Sequence, residues 1–202
     1  MLYRWLNKFI IFLASLAFLV SFAKASDSEE LLLDAARSYT AVLRTNNVRP
    51  DIIKKAKAIV IFPSVKKVGL VFGGLGGSGV MVALNGDLVD SVSLVSIGGG
   101  GAGLQAGYSD SAVVLFLMKQ SFIEDIKGLK LVLKADMIAT FASASATKNG
   151  VYGDIYALSK DSGFYAGASL DAAVISYGGD VRQSDDYAYT ELMNAINFEN
   201  LK

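Results

Sequence analysis

The 202-residue chain contains no cysteine and no histidine. The first absence rules out a disulfide, a thiolate nucleophile and a cysteine-type zinc site, even in an oxidising compartment. The second rules out a Ser-His-Asp triad and removes the imidazole base that works near neutral pH. An enzyme built from this chain would have only carboxylates, lysines and tyrosines to work with. A non-catalytic role is therefore expected, with no cofactor and no metal. Tryptophan is nearly absent too, and the single one is Trp5. The charges balance, with 19 Lys+Arg against 19 Asp+Glu, and nothing in that balance suggests nucleic acid as a partner.

What is present begins with a leader-like segment. Arg4 and Lys8 precede an apolar stretch over 9–22, and Ala23-Lys24-Ala25 follows. A positive start, a short apolar middle and a small-x-small site are the order of a secretory signal peptide. The apolar stretch is shorter than the roughly 20 residues a membrane-spanning helix needs. The expectation is cleavage after Ala25 and export to the periplasm. Ser26 rather than cysteine would stand at the new terminus, so a lipoprotein is not expected. The expected organisation is a signal peptide over 1–25 and one domain over 26–202, long enough for a sizeable core. Without Arg4, Lys8 and Lys24, 16 basic side chains face 19 acidic ones.

Glycine dominates the middle of the chain: twelve of the 35 residues from Gly69 to Gly103 are glycine. Glycine reaches φ > 0 freely and weakens helices, so tight turns and closely packed strands are expected here, not a helical core. Ser26 and Glu29 look like a capping box, and Leu31, Leu32, Ala35, Tyr39, Val42 and Leu43 recur at helical spacing, predicting a helix to about Thr45. Pro50 and Asp51 start a short second helix through about Ala56. Ala58–Phe62 reads as a strand stopped by Pro63, and further strands are expected over Val68–Phe72 and Gly79–Leu84 with a glycine-rich connection between. Asn85-Gly86 between alternating apolar segments is a hairpin turn.

Ala112–Met118 is a continuous apolar run that suits a buried strand. Ser121 and Glu124 read as a second capping box, with Gly128 as the stop of a short helix. Leu129–Leu133 alternates and reads as a strand with one solvated face. Asn149-Gly150 and Asp161-Ser162-Gly163 are turns flanking Val151–Leu158 and Phe164–Tyr177, expected to pair with each other. Ser184-Asp185-Asp186 opens a last helix with Ala188, Leu192 and Ala195 on one face. Helices at the ends and strands between predict a single α+β domain, its sheet mostly antiparallel and curled or barrel-like.

Short motif matches carry little. Gly74-Leu-Gly76-Gly-Ser-Gly79 fits GxGxxG, but the following residues read as strand rather than as the helix a pyrophosphate needs. Gly101-Ala-Gly103-Leu-Gln-Ala106 fails the same test. Ser64–Lys67 and Ser145–Lys148 match S-x-x-K without the companion elements of penicillin-recognising enzymes. Asp87, Asp90, Asp185 and Asp186 have solvated structural readings, the last two in a first helical turn.

The charge pattern is more informative. Arg44, Arg49, Lys54, Lys55, Lys57, Lys66 and Lys67 face one acid, Asp51, between positions 44 and 67. One reading is a solvated helix face and loop. The other is a site for anionic headgroups, to which each lysine near a charged surface adds about 1 kcal/mol.

Four segments carry a family resemblance: AIVIFPSVKKVGLVFGG (58–74), SIGGGGAGLQAGYSDSAVVLFLM (96–118), LKADM (133–137) and DIYALSKDSGFYAGASLDAAVI (154–175). Together they resemble the SYLF lipid-binding domain family, which also carries a Ysc-type actin-binding label. The resemblance implies membrane-lipid binding through basic residues and an N-terminal amphipathic helix, and it brings no catalytic residues. Bacterial members are exported single-domain proteins. The expected function is thus peripheral association with anionic phospholipids at a membrane surface of the envelope, through the basic residues named above. The alternative is a structural or adaptor protein whose glycine-rich β surface meets a protein partner.

Overall fold

Gly86 and Asp87 form the turn from which the sheet is built, one residue on from the expected Asn85-Gly86 pair. Gly86 sits at φ 65°, a conformation that costs glycine nothing. The turn joins two long strands, β2 (Phe72–Asn85) and β3 (Leu88–Ala102); the hairpin is where the Asn-Gly pair predicts it, but Asn85 closes β2 as the partner of Leu88 rather than lying in the turn. The computed structural model describes residues 27–46, 48, 50–69, 72–102, 107–140, 153–160, 170–184 and 186–197. Its other strands are β1 (Ala58–Gly69), β4 (Gly107–Leu117), β5 (Lys130–Val132), β6 (Ile138–Thr140), β7 (Ile155–Ser159) and β8 (Val174–Val181). The helices are α1 (27–45), α2 (Pro50–Lys55), α3 (Gln120–Gly128) and α4 (Tyr187–Ile196). The strands form one sheet in the order β5-β8-β3-β2-β1-β4-β7-β6, curled into a half-barrel with helices at both ends of the chain. The protein is a single α+β domain, as its segment order predicts.

Strand alternation divides the core into two layers. On one face, α1, α2 and α4 pack Leu32, Tyr39, Val42, Ile52 and Leu192 over Ile59, Ile61, Val80, Val82 and Phe116. On the other, α3 packs Phe122, Ile123 and Ile126 over Val60, Met81, Leu115 and Leu117. The apolar stripe of α1 is therefore core: Leu32, Ala35, Tyr39 and Val42 are buried, and Leu31 and Leu43 are partly so.

The structure corrects several expectations. Pro63 does not stop β1. Proline has no N–H to give to a ladder, and the chain solves this with a bulge. Pairing to β4 skips from Phe62↔Val113 to Val65↔Ser111, and pairing to β2 skips from Ile61↔Val80 to Lys66↔Gly76. Pro63 and Ser64 thus lie in the unpaired stretch and the strand runs on to Gly69, so the segment from Val68 to Gly69 is not a separate strand. The connection over Gly73–Gly79 is not a turn either; it belongs to β2 and pairs Gly73, Gly74, Leu75 and Gly76 with Gly101, Gly100, Gly99 and Gly98.

Helix α3 begins a residue before Ser121, with Lys119 as N-cap and no side-chain cap bond, so the Ser121/Glu124 capping box does not form. β7 and β8 do not pair with each other. β7 pairs with β4 and with β6, the one parallel partner in the described sheet, while β8 pairs with β3 and β5 on the other side. The turns at Asn149-Gly150 and Asp161-Ser162-Gly163 lie outside the described residues.

Candidate functional site

Strand β1 is the scaffold on which the basic residues are set. Lys54 and Lys55 are exposed on the last turn of α2, and Lys57 is exposed just before β1. The main chain of Lys57 is fixed from both sides, its N–H donating to Leu117 (2.7 Å) and its carbonyl accepting from Leu84 (2.8 Å). Lys66 and Lys67 come nine and ten residues later, beyond the bulge. At about 3.3 Å per residue they lie about 30 Å from Lys57. Arg44 is exposed at the end of α1, in a groove of about 450 Å³ that also meets Arg37, Tyr187 and Glu191. Arg49 lies outside the described residues. The fold therefore brings Lys54, Lys55 and Lys57 to one end of β1 and Lys66 and Lys67 to the other.

The two ends differ electrostatically. Lys57 shares a groove of about 720 Å³ with Asp90, Glu124 and Lys127, and Asp87 sits in the hairpin turn of the same end. A short Lys119–Asp154 ion pair (2.6 Å) closes the neighbouring surface. At the far end Lys66 is exposed and lies opposite Asp110 in the ladder. Asp110 is already engaged, accepting from Ser64 Oγ (2.5 Å) and Tyr108 OH (3.4 Å). Beside Lys66 stand Val68 and Tyr108, which are register partners across β1 and β4. They are 58% and 65% exposed. Sequence reasoning passes over this pair. A signal exists in the alternation, since Val68 shares a face with Lys66, but from sequence the partner strand starts only at Ala112.

Shifted ionisations lie elsewhere. A hydrogen bond from Ser93 Oγ (2.7 Å), then the Lys127 charge, hold the Asp180 carboxyl below its ordinary range despite some desolvation. Tyr177 is pushed up by desolvation and then by its contact with Asp180. Burial pushes up the Tyr39 hydroxyl, which has no hydrogen-bond partner among the described residues. These groups brace β3, β8, α1 and α3 and converge on no common site.

The other motif matches resolve as structure. The GxGxxG segment is strand throughout β2, and no helix follows it. Ser64 of the first S-x-x-K match is bound to Asp110 in the β1 bulge; the second match lies outside the described residues. Asp186 is the N-cap position of α4 without a side-chain cap bond, and Asp185 lies outside the described residues. Among the described residues no group of three or more His, Cys, Asp or Glu side chains is placed to hold a metal. No described helix is long and apolar enough to cross a membrane.

Residues 98–185 match the Ysc84 family, described as Las17-binding protein actin regulator. Among curated proteins the chain is similar to LAS seventeen-binding protein 3 of Saccharomyces cerevisiae, 29% identical over 138 residues that make up 63% of this chain and 30% of that protein. It is 28% identical to Protein YSC84 of the same yeast over 138 residues, 63% of this chain and 29% of that one. SH3 domain-containing protein PJ696.02 of Schizosaccharomyces pombe matches at 29% over 146 residues, 68% of this chain and 34% of that protein. The matches thus span about a third of the length of these curated relatives. No solved structure matches the chain. The matched stretch runs from the glycine segment of β3 through β4, α3, β7 and β8 to the approach of α4, and over it the chain is similar to the Ysc84, or SYLF, family.

Proposed function

We propose that this domain is a peripheral lipid-binding protein that associates with anionic phospholipid headgroups through its exposed basic residues. The observation that carries the reading is a set of unneutralised cations. Among the described residues Arg44, Lys54, Lys57 and Lys66 are exposed and make no ion pair. An unpaired surface ammonium is well hydrated and loses little when it exchanges water for a phosphate oxygen. The family supports the reading at its coarser level, since lipid binding is a property of SYLF domains. Flotation with phosphatidylglycerol vesicles is the test. Binding should fall steeply between 0.1 M and 1 M salt, as the Debye length shrinks from about 10 Å to about 3 Å. Equal flotation with phosphatidylcholine vesicles at both salt concentrations would refute a headgroup-charge mechanism.

The second reading is a non-catalytic adaptor, favoured by the names of the yeast relatives, which are binding proteins. A stable protein partner captured by a chain that floats with no vesicle would decide for it. The proposed compartment is the periplasm, reached by export and cleavage after Ala25. N-terminal sequencing of the exported protein should begin at Ser26, and an intact Met1 on exported protein would refute it.

A further inference from the structure

We infer that the domain meets an anionic lipid surface with one particular end, the edge where β1 finishes at Gly69 and β4 starts at Gly107. Val68 and Tyr108 enter the interface there, and Lys66, on the same face, reaches the headgroups behind them. This rests on the lipid-binding reading above and names the part of the molecule that performs it.

Three observations converge on this end. The first is the apolar pair. Val68 and Tyr108 are direct partners in the ladder, so their side chains stand about 5 Å apart and form one unit. Each lies one residue from its strand end, exposed by more than half. An aliphatic chain beside a tyrosine suits the membrane boundary, where the ring is buried and its hydroxyl stays wet. Of the other strongly exposed apolar residues, Leu88 follows Asp87 and precedes Asp90, and Leu129 lies between α3 and β5 rather than in a strand.

The second observation is charge. Lys66, Lys67 and Lys160 gather at this end; the Lys160 N–H donates to Ala112 (3.1 Å), two residues from Asp110. Asp110 is the acid among them, and it is already held by Ser64 and Tyr108. At the opposite end Lys54, Lys55, Lys57 and Lys127 are balanced by Asp51, Asp87, Asp90 and Glu124. Among the described residues, the Gly69 end is the one with a positive surplus to offer a negative surface.

The third observation is shape. On the face carrying Lys66 and Val68, the neighbouring positions are Gly74 and Gly76 on β2 and Gly98 and Gly100 on β3. Packing does not require glycine at all of them. A Cβ at Gly98 would meet nothing, and one at Gly76 would make an ordinary contact with the Ile97 carbonyl. The result, among the described residues, is a bare sheet face about two strands wide, roughly 10 Å, with glycine rather than a side chain at these four positions beside Val68.

Two full-length variants and one spectroscopic probe test the inference. The tip variant carries Val68→Glu and Tyr108→Glu. The opposite-end variant carries Lys54→Glu, Lys55→Glu and Lys57→Glu. All five side chains are exposed, and circular dichroism checks that each variant is folded. With phosphatidylglycerol vesicles the tip variant should lose at least tenfold in partitioning, while the opposite-end variant floats within about threefold of wild type. Separately, Tyr108→Trp in a Trp5→Phe background should shift its indole emission to the blue when the same vesicles are added. A tip variant that floats like wild type while the opposite-end variant is lost would overturn this inference and leave lipid binding standing. An unshifted indole emission from the Tyr108→Trp protein, measured while it floats, would overturn it too. Wild-type protein that fails to float with anionic vesicles would remove both readings together.

Discussion

The two ends of β1 use the same strand for different purposes. From Ala58 to Phe62 every residue is buried, with helices on one face and α3 with β-strand side chains on the other. From Lys66 to Gly69 the strand alternates exposed and protected, and the exposed face has neighbours without side chains. The first end is held by apolar burial, at about 1.5–3 kcal/mol for each large side chain. The second depends mainly on the backbone ladder and on the one layer beneath it, where Leu75, Ile97 and Ile175 are buried. The bulge at Pro63 and Ser64 marks the change between them. The difference teaches that glycine has two roles in this sheet: close approach on the packed side and openness on the free side.

The comparison is sharpest where a single methyl group tells the two roles apart. At Gly79 an added Cβ would run into the Ile61 carbonyl and the Phe62 ring, and at Gly77 into the Ser64 carbonyl. Both glycines pack against the bulge, where backbone cannot give way. Gly79→Ala should cost about 3 kcal/mol, at the upper end of the overpacking range, measurable as a lower urea midpoint. A loss under about 1 kcal/mol would mean that the bulge is not a rigid junction.

A smaller effect of opposite sign is expected under α1. Tyr39 is fully buried with its hydroxyl unpartnered among the described residues. A buried hydroxyl without a partner costs free energy that phenylalanine of nearly the same shape avoids. Tyr39→Phe should leave stability unchanged or raise it by about 1 kcal/mol. Destabilisation by that amount would show that the hydroxyl is bonded and that the helix-covered end has a polar tie.

The smallest change is expected at the open end. Gly98 has room for a Cβ and an ordinary backbone, so Gly98→Ala removes only the entropic disadvantage of glycine in a strand. A gain of about 0.5 kcal/mol in the same denaturation experiment is expected. Destabilisation instead would mean that the open face is packed in solution.

Much of this fold is legible in local chemistry. The 3.6-residue recurrence of Leu32, Ala35, Tyr39 and Val42 announces α1 and its buried face, and Gly86 between two alternating apolar segments announces the central hairpin, since a tight turn there takes the positive φ that glycine adopts freely. What local chemistry hides is partnership. Nothing in Val151–Leu158 or Phe164–Tyr177 says that β7 and β8 lie on opposite sides of the sheet, since non-local pairing is decided by the whole. The glycine run reads as turns because glycine permits turns, although it equally permits strands packed closely together.

The candidate site follows the same logic. Proline usually ends a central strand, so Lys54, Lys55, Lys57, Lys66 and Lys67 read as one contiguous cluster on either side of a turn. Once Pro63 is placed in a bulge the strand runs on, and its length carries the last two lysines away from the first three. Val68 and Tyr108 become visible only when β1 and β4 are set in register.

The two-residue turn at Gly86-Asp87 also sets an order in time. Strands β2 and β3 are joined at that turn and form the most local of the long pairings, so they can associate by closing outward from it, in microseconds for an isolated hairpin. The rungs from Val82↔Val92 to Val80↔Leu94 close early and are covered by the helices. The rungs from Gly76↔Gly98 to Gly73↔Gly101 lie farthest from the turn, have the most chain entropy to lose and the fewest side chains to hold them. They close last and open first. Amide exchange should therefore quicken along β2 from Val82 towards Gly74, a gradient of local opening rather than one cooperative value. The end of the sheet that faces outward is also the end the protein can most cheaply rearrange.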